Sequence, residues 1–274
     1  MNLEPSLSAA KVALSFIFLL YASWSDYKTR EVSNRLWVIF APLASILTLV
    51  ELLLYSPERL PWFGLGFGLI VIFALLLFYA GGFGGADSKA LICIALALPF
   101  FPENFLTPLI AEGLSPLAQN IFPFIIFSNS ILVAAASVIL MLLINAKWRL
   151  SSGKKIFDGS LATEPFWKKI ITLMTGYKIP LAKLQVKWHV YPMEDVIEKE
   201  NGEIQLKRKL VVIPKDEGRQ QIVERLSRAS ESGTIDSFVL ATPGLPMLIF
   251  ITIGLVIALF FGDIVWILIH WLLG

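Results

Sequence analysis

Asp26 and Asp87 are the residues of this chain whose type and setting could do chemistry. They lie in Ser25-Asp26-Tyr27-Lys28-Thr29-Arg30-Glu31-Val32-Ser33-Asn34 and in Gly81-Gly82-Phe83-Gly84-Gly85-Ala86-Asp87-Ser88-Lys89, two short polar stretches that interrupt apolar ones. An acid beside a bilayer is expensive to bury and marks function by default. Two carboxylates brought close cannot both ionise easily. One keeps a proton while the other acts as base, and the pair titrates as a unit. Such a pair can take a proton from water while its protonated member polarises a carbonyl, without metal, nucleophilic serine or thiol. Gly81, Gly82, Gly84 and Gly85 would let an extended chain approach Asp87 closely. On spacing alone, the second stretch is equally well read as a flexible loop with a solvated acid.

The elements that must position these acids are apolar. Of the 274 residues, 56% are hydrophobic, and the mean hydropathy is +0.72. That places the chain among α-helical polytopic membrane proteins. A net charge of +2 makes no case for nucleic acid. Cys93, the single cysteine, sits in an apolar run and reads as a core thiol. His189 and His270 lack metal-ligand spacing. No metal or other cofactor is expected. The start, Met-Asn-Leu-Glu-Pro, lacks the basic residues of a cleavable signal, so the first run is expected to be a retained helix.

Six apolar runs are expected to form a six-helix transmembrane bundle. They cover about 7–24, 35–55, 62–80, a weak fourth from Ala90, 121–145 and 244–272. Lys11 in the first run is near enough to its end to snorkel, and Glu51 reaches the opposite interface. Gly64, Gly66 and Gly68 suggest a third helix packed centrally. The fourth run is clearly apolar only to Phe101, and is either a broken span or a re-entrant segment. Asp263 in the sixth run is read as structural.

Residues 147–240 hold 17 of the 23 basic residues. Lys147, Arg149, Lys154 and Lys155 follow the fifth run directly, so this segment is expected in the cytoplasm. Parity then puts both aspartate stretches on the cytoplasmic face. The connection at 102–120 carries Glu103 and Glu112 and no Lys or Arg, as an outer loop would. The expected domains are 1–146 with five spans and both aspartates, 147–240 as a small cytoplasmic α+β domain, and 241–274 as the sixth span. Within the middle domain, Val186–Ile197 and Glu203–Ile213 read as strands around an Asn201-Gly202 hairpin turn. Residues 216–230 read as an amphipathic helix, and 235–241 as a further strand. An amphipathic piece with Phe166, Trp167, Lys168 and Lys169 would suit a membrane surface.

The two motifs resemble those of the prepilin peptidases, the GxGD-type membrane aspartyl proteases, and within them the archaeal preflagellin and type IV prepilin peptidases. The residues that carry the resemblance are Asp26 with Lys28, Arg30, Val32 and Asn34, then Gly84-Gly85-Ala86-Asp87-Ser88-Lys89-Ala90. Thr242-Pro243-Gly244-Leu245-Pro246 and the soluble insertion before the last helix are similar too. Ala86 replaces the second glycine of GxGD, and Ser33 stands where many bacterial members have proline. The paired CxxC insert of many bacterial members is absent, which leaves no support for their methyltransferase activity. The resemblance implies that Asp26 and Asp87 are a catalytic pair. It implies removal of a short basic leader from prepilin, preflagellin or pilin-like precursors at the cytoplasmic face of the cell membrane.

Gly84, Gly85, Lys89, Arg30 and Asn34 are supporting candidates. Positive-inside anchoring explains Arg30 and Lys89 as well, and capping of the second helix explains Asn34. Two other readings compete: a proton-coupled transporter or channel with Asp26, Asp87 and Asp263 along one path, and a non-catalytic membrane scaffold. The residues set no oligomeric state.

Overall fold

The computed structural model describes residues 3–110, 113–197, 207–211, 218–244 and 246–273. The chain divides into two compact units, one of residues 1–135 with 246–274 and the other of 136–245. Among the described residues, four helices are long and apolar enough to cross a membrane: α1 (Glu4–Thr29), α2 (Asn34–Tyr55), α3 (Leu60–Tyr79, with a preceding 3-10 turn) and α6 (Phe122–Ser152). The pair α10 (Met247–Phe260) and α11 (Ile264–Leu273) makes a fifth if its two limbs, bent by 55°, are one span.

The expected fourth span is the 13-residue helix α4 (Gly85–Ala97). It rises only about 20 Å, against about 30 Å of hydrocarbon. It is the centre of the first unit, packed against α1, α2, α3 and α10. Ala90, Leu91, Ile94, Ala97 and Leu98 are wholly buried. The chain starts α4 beside Asn34, since Lys89 Nζ donates to Asn34 Oδ1 (2.6 Å). It then passes α2, where Thr48 Oγ1 donates to the Ala97 carbonyl (3.2 Å), and Asn104 Nδ2 reaches Glu4 Oε1 (2.7 Å). Residues 85–104 thus run from the C-terminal end of α1 to its N-terminal end, with an irregular tail completing what the short helix begins.

The expectation of a central third helix does not hold. The α3 window is the least buried of the four long helices, and added Cβ atoms at Gly64 and Gly68 would meet nothing within 4 Å. Close packing uses other glycines. A Cβ at Gly254 on α10 would stand 2.2 Å from Ser130 Oγ on α6. Lys11 likewise does not snorkel. Its ammonium and the Ser8 hydroxyl both bind the Glu51 carboxylate, in a buried cluster joining α1 to α2.

The break between α10 and α11 has a local cause. Gly262 takes φ +80°, and the Asp263 N–H leaves the helical ladder to donate to the Gly113 carbonyl (2.9 Å). Asp263 Oδ2 accepts from Ser115 Oγ (2.8 Å), and its Oδ1 accepts the Trp266 N–H (3.1 Å). Asn129 binds the Gly262 carbonyl and the Ile264 N–H. Asp263 therefore caps α11 and ties it to the short stretch before α5 (Pro116–Asn120), the structural role expected of it.

The second unit takes in the C-terminal part of α6 and the small mixed domain that follows it in the chain. That domain comprises α7 (Phe166–Thr175), β1 (Tyr177–Pro180), α8 (Leu181–Val186), β2 (Val190–Pro192), β3 (Glu194–Ile197), β4 (Lys207–Leu210), α9 (Arg219–Glu231) and β5 (Phe238–Pro243). The strands form an antiparallel sheet in the order β1-β5-β2 and a separate β3-β4 pair. The single strand expected at 186–197 is interrupted. Its first residue ends α8, and Met193 changes sheets, donating to the Leu240 carbonyl (2.8 Å) and accepting from the Val211 N–H (2.8 Å). The amphipathic helix falls where expected and buries Val223, Leu226 and Ala229. Glu194, fully buried, is held by Arg208 Nε (2.8 Å) and faces Lys178 Nζ (3.7 Å). The expected Asn201-Gly202 turn, Glu112 and Leu245 lie outside the described residues.

A Cβ at Gly262 would stand 2.1 Å from the Gly113 carbonyl oxygen, in a backbone conformation that L-residues rarely adopt. Gly262→Ala is expected to cost ~2–5 kcal/mol by strain and overpacking. Gly64→Ala, with open space around it and ordinary helical geometry, is expected to be neutral or stabilising by up to ~1 kcal/mol. Thermal unfolding in detergent checks both; equal midpoints would contradict the packing described.

Candidate active site

The first acid sits in the last turn of α1. That helix ends because Arg30 adopts the left-handed conformation (φ 56°) and returns its N–H to the Asp26 carbonyl (3.0 Å). Glycine normally fills this position, and Arg30 is the only non-glycine with positive φ among the described residues. Side chains set the turn that follows. Ser25 Oγ (2.7 Å) and Thr29 Oγ1 (3.0 Å) both donate to the Glu31 carbonyl. Ser33, not Asn34, caps α2, accepting the Arg35 N–H (3.3 Å). Asn34 is thereby released from the capping role and receives Lys89 instead.

The second acid sits in the first turn of α4, at the third helical position. Asp87 Oδ2 accepts the N–H of Gly84, the residue that begins the helix (3.0 Å). This is half of a capping box, and the partial positive charge of the helix N-terminus favours the same ionised form. Gly84 is needed for space rather than for unusual torsion. Its φ of −72° is open to any residue, but a Cβ would come within 3.1 Å of Asp87 Oδ2. Gly81, at φ +74°, does need its missing side chain to turn the chain out of α3. Ser88 fastens the turn to α3 through the Ala74 carbonyl (3.2 Å). Gly85 packs against the Phe78 ring at ordinary contact distance.

The Lys89–Asn34 bond puts the start of α4 and the start of α2 at one end of the unit. The C-terminus of α1 joins them there through its short turn into α2. Asp26, in the last turn of α1, and Asp87, in the first turn of α4, thus belong to helix ends that this bond brings together. Arg30 lies within electrostatic reach of Asp26, and its buried Nε has no hydrogen-bond partner among the described residues. Ser25, Thr29 and Ser88 were not singled out from the sequence. Their only signal is a hydroxyl at a helix end, which is common in any protein.

The Asp263 carboxylate is engaged elsewhere, with Ser115 and Trp266. Among the described residues there is no cluster of three His, Cys, Asp or Glu able to hold a metal ion.

Comparison with known proteins gives three matches. The model of the type IV leader peptidase family matches residues 13–144. That of the archaeal peptidase A24 C-terminus, type II, matches residues 168–264. A preflagellin peptidase of Methanococcus voltae is 26% identical over 258 residues, which cover 92% of this chain and 94% of that protein.

Gly84→Ala tests the carboxylate setting. The added Cβ should push the Asp87 carboxyl off the Gly84 N–H, and a carboxyl so misplaced should lower turnover about tenfold. Gly82→Ala, whose Cβ meets nothing closer than 3.5 Å, should leave turnover unchanged. Turnover of both variants checks this, and full turnover by Gly84→Ala would show that the Gly84 bond does not set the carboxyl.

Proposed function

The chain belongs to the type IV leader peptidase family, and from that premise we propose that it cuts leader peptides from prepilin, preflagellin or pilin-like precursors with Asp26 and Asp87 as a shared-proton pair. The observation that carries the proposal is that one acid ends α1 and the other begins α4, at an end where Lys89 and Asn34 hold the helices together. Water lies between the carboxyls. Asp26, ionised, takes its proton as the oxygen attacks the scissile carbonyl. Asp87, protonated because two close carboxyls cannot both ionise easily, donates a hydrogen bond to that carbonyl and stabilises the charge that develops on it. Proton return to the leaving amine restores the pair.

Six crossings are supported by the path of residues 85–104 along the full length of α1, and by α10 with α11 as one broken span. Asp26 and Asp87 then share a face with residues 147–240, and the excess of Lys and Arg there argues that the face is cytoplasmic. A precursor's leader would be cut on that side, where its apolar segment enters the bilayer.

Asp26→Asn and Asp87→Asn should each lower cleavage of a leader-bearing precursor by about 10²–10⁴-fold while leaving the unfolding midpoint close to wild type. Full cleavage by either variant would end the two-carboxyl mechanism. Proton flux into vesicles without cleavage would favour the transporter reading.

The pH dependence has a definite sign. Asp87 must be protonated to act as acid, so in the unoccupied enzyme kcat/KM should decline as pH rises past the point where the pair loses its shared proton. Bound substrate excludes water further, so the corresponding limb of kcat should lie higher. Stopped assays over pH 4–9 give both limbs; a kcat/KM flat across that window would contradict the role given to Asp87.

A further inference from the structure

Helix α7 is amphipathic in the reverse sense for a helix on a water-soluble domain. At 100° per residue, Phe166, Trp167, Ile170 and Met174 fall within an arc of about 100°. Those four are the exposed apolar residues of the helix, at 77%, 55%, 38% and 38% exposure. The opposite side carries Lys168, Lys169 and Thr172. Thr172 is wholly buried; Lys168 pairs with Glu164 (3.1 Å), and Lys169 donates to the Ala162 carbonyl (2.6 Å). The polar side is thus spent on the domain and the apolar side is turned outward. A helix facing water would do the opposite.

A second observation fixes the level at which α7 ends. Asn145 of α6 sends its side-chain amide to the carbonyls of Leu173 (3.1 Å) and Gly176 (2.7 Å), at the C-terminal end of α7. Asn145 is the last residue before α6 leaves its apolar run, and Lys147 and Arg149 follow at once. The preceding turns of α6 expose Ile139, Leu140 and Leu143, as a lipid-facing surface would. The hydrogen bonds from Asn145 therefore hold α7 at the level where α6 emerges from hydrocarbon. Trp and Lys together at that level suit the headgroup region, where an aromatic ring and a cation both find partners.

We propose that α7 is an in-plane interfacial helix that seats Phe166, Trp167, Ile170 and Met174 in the lipid surface of the bilayer. It rests on the reading of α6 as a membrane span. The occupant is lipid, rather than a protein partner, because Asn145 ties the C-terminal end of α7 to α6 just where α6 ends its lipid-exposed length.

The test uses full-length protein in liposomes, in a Cys93→Ser background, with one nitroxide label at a time. Trp167→Cys, Ile170→Cys and Met174→Cys report on α7, Leu140→Cys on the α6 span, and Glu224→Cys on exposed α9. Accessibility to oxygen, which concentrates in lipid, is compared with accessibility to a water-soluble nickel chelate. The expected result is an oxygen-to-nickel ratio at the three α7 positions at least threefold above that at Glu224 and approaching that at Leu140. Nickel access at α7 equal to that at Glu224, with Leu140 dry, overturns the inference and leaves the span reading intact. Protection of α7 from both reagents means a protein covers it and also overturns the inference. Nickel access at Leu140 overturns the span reading and this inference with it.

Discussion

A carboxyl withdrawn from water at the start of a buried helix is the constraint around which the first unit is arranged. The first turn of α4 fixes the Asp87 carboxyl through the Gly84 N–H and the positive end of the helix dipole. Holding it there requires α4 to be packed by α1, α2, α3 and α10, which explains why a helix too short to cross lipid unaided is so deeply placed. It also explains why α3, longer and more apolar, is left at the periphery. A helix that crosses lipid unaided needs length; one that positions an acid needs neighbours.

The two ends of the unit are built differently. The end far from the acids is locked by the buried Lys11–Glu51–Ser8 cluster and by the close backbone approach of Gly113 and Gly262. Breaking a buried ion pair from one side typically costs ~3–5 kcal/mol, so this end resists opening. The end with the acids is held by an exposed Lys89–Asn34 bond and a turn of serine and threonine hydroxyls. Such bonds compete with water and are individually weak. A peptide chain that must reach Asp87 would part these contacts without disturbing the core beneath.

Much of this was legible in the sequence because it rests on local patterns. The long apolar runs, the two aspartate stretches, the strands near β4 and β5 and the helix at 219–231 follow from hydrophobic period and turn residues. What was not legible depends on partners distant in the chain. Lys11 looked like an interfacial lysine because nothing nearby could neutralise it, and Glu51 is forty residues away. Glycine spacing suggested that α3 was central, but small residues permit close packing without requiring it. The sheet switch at Met193 depends on contacts with Leu240 and Val211. Gly84 could be flagged as permissive, but its real use, room for an oxygen 3.1 Å from a Cβ position, needs coordinates.

The arrangement also weighs against a proton path through the unit. Such a path would have to link Asp26 and Asp87 with Asp263, but Asp263 is committed to Ser115 and to the start of α11 beside Gly113. Between the two ends runs the body of α4, where Leu91, Ile94, Ala97 and Leu98 are buried without residual exposure. A proton crossing that stretch would need water among side chains that offer it no hydrogen bonds. Lys11 and Glu51 provide no intermediate station, since each answers the other's charge. The buried body of α4 thus separates the acids from the far end of the unit, which is what the proposed cleavage at one face requires and a proton path does not allow.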